Sequence, residues 1–83
     1  MKYMIYYLLS FSDPKVSTVL VIERDSIFFY HNSIYQKKMI VHQTPTVYVF
    51  EGAGFVYIGK NKVVVEYRNK TEFHRILRQR LVE

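Results

Sequence analysis

The chain contains no cysteine and no tryptophan, and of its 83 residues only three are glycine and two proline. Without cysteine there is no disulfide framework, no thiolate nucleophile and no zinc site of the common cysteine-bearing kinds. Such a chain fits a reducing compartment, and a cytoplasmic location is expected, the host cytoplasm if the chain is viral. No low-complexity tract is present, so the composition is that of a folded chain. No uncharged apolar run approaches the roughly 20 residues that a helix needs to cross a bilayer. The histidines, His31, His42 and His74, show no metal-ligand spacing, and Gly52, Gly54 and Gly59 match neither a dinucleotide fingerprint nor a P-loop. No nucleophile stands beside a base and an orienting acid. No catalytic, cofactor-binding or metal-binding residue is therefore assigned, no small-molecule substrate is indicated, and enzyme activity is not expected.

What is present is apolar and aromatic. Hydrophobic residues make up 49% of the chain, with eight tyrosines and six phenylalanines, enough to build the one core that a single domain over residues 1–83 requires. Tyr3 to Phe11 alternates as a strand, with Tyr3, Ile5, Tyr7, Leu9 and Phe11 on one side and Met4, Tyr6 and Leu8 on the other. Its three tyrosines and the lack of a small-residue cleavage motif distinguish it from a signal peptide. Ser12, Asp13 and Pro14 break the run. Val16–Glu23 and Ser26–His31 form a hairpin about Arg24 and Asp25. Asn32 and Ser33 then turn into Ile34–His42, whose alternation is imperfect: it reads as an edge strand protected by Lys37 and Lys38, with a short helix as the competing reading. Thr46–Glu51, Phe55–Gly59 and Lys62–Arg68 follow, separated by turns at Gly52–Gly54, where positive φ is expected, and at Lys60–Asn61.

The last third changes period. Phe73, Ile76, Leu77 and Leu81 recur at helical spacing, and Asn69 followed by Glu72 fits a capping box. The expected fold is therefore mainly β with a C-terminal α-helix: six or seven antiparallel strands in a small barrel or roll, with the helix packed on it through those four residues. The stretch Lys62–Leu77 (KVVVEYRNKTEFHRIL) resembles the last strand and helix of bacterial pleckstrin-homology-like barrels. That resemblance implies a bent sheet whose open end is plugged by the helix. It does not carry a lipid site over, since the first loop holds only Lys15 where lipid-binding members have several basic residues.

Several strands are apolar on both faces, which a chain of this size accommodates by curling its sheet or by borrowing a partner. The leading expectation is a non-enzymatic protein-interaction module, self-associating or binding another protein through an apolar and aromatic sheet face or edge. Small basic chains of this kind also occur as phage- or virus-type accessory proteins that inhibit a host enzyme. The alternative is nucleic-acid binding. From Lys60 onward seven basic residues face three acidic ones, a net +4 of the chain's +5, and Lys60, Lys62, Arg68, Lys70, Arg75 and Arg78 are the candidate residues for an anionic partner.

Overall fold

The computed structural model describes every residue except Met1, Pro14, Val16, Asn32 and Ser33, and only the backbone of His31, Ile34 and Tyr35. The expected turns at Pro14 and Asn32–Ser33, and the expected strand start at Val16, thus lie outside the described residues. Eight strands run in chain order: β1 (Tyr3–Ser10), β2 (Ser17–Ile22), β3 (Ser26–His31), β4 (Ile34–Gln43), β5 (Val47–Phe50), β6 (Gly54–Ile58), β7 (Lys62–Tyr67) and β8 (Lys70–Val82). Each pairs antiparallel with the next, and β8 returns to pair with β1, closing the barrel. No helix long and apolar enough to cross a membrane is present among the described residues.

The expected C-terminal helix is not formed, and the count of six or seven strands becomes eight. Residues 70–82 are the longest strand, paired with β7 on one side from Lys70 to Arg75 and with β1 on the other from His74 to Val82. Two features produced the helical reading. Arg68 and Asn69 both have positive φ, 51° and 63°, between the paired residues Tyr67 and Lys70. This is the two-residue hairpin turn of I′ type, which favours asparagine, so Asn69 reverses the chain where it was expected to cap a helix. The second is spacing: Phe73, Leu77 and Leu81 recur every fourth residue, which fits a helical stripe and, being even, a strand's period of two as well. A bulge lies among them, since Tyr7 pairs with Arg78 but Leu8 with Ile76, leaving Leu77 as an extra residue. Of the four expected to pack inward, only Ile76 lies against the core, while Phe73, Leu77 and Leu81 are exposed.

The strand wins for a tertiary reason. Helix propensity is a weak preference, and most helical stability in a domain comes from packing. As a helix, this segment would leave β7 and β1 as open edges. As a strand it satisfies both, and closure removes the edges that invite misassembly.

In an eight-stranded barrel the interior is just wide enough for side chains to fill it. Tyr6 and Leu8 from β1, Leu20 and Ile22 from β2, Ile27 from β3, Phe50 from β5, Val56 from β6 and Val63 from β7 are all buried. They are the alternate residues that the period of two places on one face. A second bulge lies in β4, where Ile40 pairs with Phe50 and His42 with Val49, leaving Val41 over. Bulges bend and twist strands as closure requires. This accounts for Val41 and Leu77, exposed by 65% and 58%, as residues spent on curvature.

Of the glycines, Gly52 takes positive φ, 85°, as expected, and its neighbour Ala53 does too, at 60°. Gly54, expected to do the same, is an inward strand residue instead. A Cβ there would run into the Phe50 ring and stand 2.8 Å from Tyr67 Cδ1, so the ring occupies the space a side chain would need.

Two outcomes check these assignments. Asn69→Gly is expected to keep or raise stability against urea, whereas Asn69→Val should lower it by about 1–2 kcal/mol, the cost of a left-handed residue with a branched Cβ. Gly54→Ala is expected to cost about 1–3 kcal/mol by overpacking. That cost should shrink in a Phe50→Leu background, where the colliding ring is gone; equal costs in both backgrounds would contradict the packing described.

Candidate functional site

Closing the barrel buries one face of each strand and leaves the other in water. On β1 the outward residues are Tyr3, Ile5, Tyr7 and Leu9, each partly buried. The registers extend these into two rows across the barrel wall. One runs Arg78, Tyr7, Val19, Tyr30 from β8 to β3. The next runs Arg80, Ile5, Val21, Phe28, Lys37 from β8 to β4. The centre of both rows, on β1, β2 and β3, carries no charge, and each row begins or ends on a cation. The Arg78 guanidinium lies 5.5 Å from the Tyr7 ring centre, and the Lys37 ammonium 5.2 Å from that of Phe28. Both are within cation–π range, and each holds a basic border group down on the apolar field.

The six candidate residues for an anionic partner are all exposed but are not brought to one place. Lys62 of β7 is directly opposite Arg75 of β8, and Lys60 lies in the turn before β7. Arg78 is farther along the outer face of β8, with Arg80 beyond it. Arg68 is in the β7–β8 turn at the other end of that hairpin, and Lys70 is an inward position, in register with Tyr67. None of the six forms an ion pair among the described residues, where the only two are Lys2 with Glu83 at 3.8 Å and His74 with Glu72 at 3.2 Å. Glu66 is the sole carboxylate on the outward positions of β7 and β8. The resulting stripe is basic and contains the exposed Phe73, whose cross-strand neighbours run through Val64 to Tyr57.

Of the histidines, His42 is exposed on β4 and His74 is buried inside the barrel. Among the described residues no group of three or more histidines and carboxylates is placed to hold a metal. Two tyrosines are electrostatically distinctive. Burial, followed by the neighbouring Tyr48, raises the Tyr6 hydroxyl above the ordinary tyrosine value of 10.0. The Lys38 ammonium against the phenol, helped by Arg68, holds Tyr67 below it. The two cations lie 5.3 Å and 5.1 Å from the Tyr67 ring centre.

Sequence reasoning separated the two faces of β1 without telling which is outward, and it missed the continuation of the outward one. Lys37 was read as edge protection, and it does lie in the part of β4 that precedes the pairing with β5, which runs only from Ile40 to Gln43. Its position as the far border of an apolar row depends on a register that no local pattern carries. No protein-family model matches the chain, and no curated protein or solved structure matches it either.

The tyrosine environments predict a pH signature. With its folded value lowered, Tyr67 adds stability only above the unfolded value near 10, and that increment is lost as pH falls through the folded value. At neutral pH it contributes nothing. Tyr6 acts in the opposite sense: its contribution is present below about 10 and is lost as pH rises through its raised value. Phenolate absorbance should show one early-ionising tyrosine, and Lys38→Met should move it back among the others. An unchanged titration curve in that variant would refute the Lys38 effect.

Proposed function

We propose that this barrel is a non-enzymatic interaction module that docks a protein partner on the outer face of β1, β2 and β3. The observation that carries this reading is the uncharged double row of Tyr7, Val19, Tyr30 and Ile5, Val21, Phe28, bordered by Arg78 and Arg80 on one side and Lys37 on the other. Contiguous apolar fields with a polar rim mark protein-binding surfaces. The rim selects the partner: an aliphatic or aromatic centre flanked by carboxylates complements it, while a second copy would bring its own cations against these. Self-association through this face therefore depends on salt to screen the rim. A lipid-facing role suits it poorly. Strands β5 and β6 have four and five residues and rise about 13–17 Å, against the roughly 25 Å apolar band of a transmembrane barrel.

A second reading, nucleic-acid binding, is favoured by one observation: Lys62 and Arg75 stand opposite each other with no acid between them. Like charges directly across a ladder are unfavourable, and a phosphate between them relieves that. Exposed Phe73 and Tyr57 could stack bases beside it.

A displayed peptide library separates the two. Peptides selected on the wild-type barrel should combine aromatic or aliphatic residues with aspartate or glutamate, lose binding to a Val21→Lys variant, and tolerate Lys62→Glu. If Val21→Lys retains them, or if selection enriches nothing, the docking face is wrong. Sedimentation at low and high salt should show a monomer at low salt. For the second reading, Arg75→Ala should weaken low-salt binding of a mixed-sequence single-stranded oligonucleotide several-fold, and absence of binding to the wild-type chain would end it.

A further inference from the structure

The mouth of the barrel holds a cavity of about 250 Å³ between the inward residues of β4 and those of the β7–β8 hairpin. It is independent of the outer face, and its lining divides by chemistry. The floor is aromatic: the rings of Phe29 and Phe50 meet edge-on at 5.9 Å, and those of Phe50 and Tyr67 are tilted at 5.4 Å. Gly54 is what lets the Phe50 ring lie there. The walls carry charge on side chains that the strand period directs inward, Lys38 from β4 and Lys70, Glu72 and His74 from β8.

Lys70 and Glu72 are exposed at this mouth and Lys38 is half-buried, so water reaches the charges while the aromatic floor beneath them stays apolar. His74 supplies a second, sharper observation. It is 2% exposed, its Nε2 is 3.2 Å from Glu72 Oε2, and its Nδ1 is buried without a hydrogen-bond partner among the described residues. A buried polar atom left unpaired is costly and rare, so the inner wall of the cavity, which His74 lines, is its least satisfied part. Against the single carboxylate of Glu72 the lining carries two ammonium groups, so its net charge is positive.

We infer that the barrel mouth is a binding site for a small amphipathic anion, an aromatic carboxylate whose ring lies on Phe29, Phe50 and Tyr67. Lys38 and Lys70 take the carboxylate, and His74, held to Glu72, closes the inner end of the site. The volume suits one such molecule, equal to roughly eight waters of liquid and close to the lower end of the range of small-molecule pockets. A flat ring with one charge at its edge matches an aromatic floor with cations at the rim, as neither an aliphatic ligand nor a neutral aromatic does.

Indole-3-carboxylate and neutral indole are the probes, read by ligand saturation-transfer NMR and by the nitrogen shifts of His74. The carboxylate should bind with a dissociation constant in the millimolar range or tighter, and it should shift the His74 Nδ1 resonance. Indole should bind about tenfold more weakly or less. Lys38→Met and Lys70→Met should each erode that preference, while Val65→Trp, which fills the cavity, should abolish binding in a chain whose β-sheet amide spectrum is retained. Should Val65→Trp fail to fold, competition between the two probes on the wild-type chain decides the matter. No saturation transfer at about 5 mM, equal binding of the two probes, or a His74 Nδ1 resonance that ignores the bound carboxylate would overturn the assignment.

Discussion

Everything in this fold depends on the backbone ladder that β8 makes with β7 and β1 at once. Lys70–Arg75 pair with β7 and His74–Val82 with β1, so the backbone groups that both neighbours would leave open find partners without solvent. Closure then turns an open sheet, which could twist or pair with a neighbour, into a wall with an inside and an outside. The division of labour among the side chains follows from that wall. Tyr6 and Leu8 become core because they share a face with Leu20 and Val56, and Tyr7 becomes surface because it does not.

How much of this was legible in the residues depends on the range of the signal. Strand positions from Tyr3 to Tyr67 could be read within a residue or two, because alternation and turn residues are local. The faces of β1 and β7 could be read for the same reason. The end of the chain misled because its two local signals were ambiguous in a specific way. An Asn three residues before a glutamate serves a helix cap or a tight turn, and apolar residues four apart, Phe73, Leu77 and Leu81, fit a helical stripe or a strand's alternation. Only the need of β1 and β7 for partners decides between them, and that is a property of the whole chain. The candidate cations show the same limit: Lys60, Lys62 and Arg75 do gather, while Arg68 and Lys70 go to the other end because a hairpin separates them.

The interior has a gradient along the barrel axis. Its middle is aliphatic and closed, with Leu20, Ile27, Val56 and Val63 at 0% exposure. Toward the β7–β8 turn the same inward positions change to Glu72, Lys70 and Tyr67 on that hairpin and to Lys38 and Gln36 on β4. Phe50 marks the boundary, fully packed yet touching both the core and the aromatic string of the mouth. A small barrel can carry polar groups at one end in this way only if its other layers supply the stability, which is why Gly54 is held to the size of a hydrogen atom. Any added volume there displaces the ring that separates the dry core from the charged mouth.

The outer wall poses the converse problem. A chain of 83 residues has too little interior to hide all the strand-forming residues that its sheet requires. Val19, Val21, Ile5 and Phe28 are good strand formers wherever they point, and this alone would explain an apolar exterior. It does not explain the distribution of charge. Strand preference is indifferent to where lysine and arginine fall, yet one row has a cation at one end and the other at both, none interrupts either row, and two are laid over aromatic rings next to them. A surface selected only for solubility would scatter charge through the apolar field. Segregation of the cations to its borders costs solubility, and it is the arrangement expected of a face that is covered when the protein works.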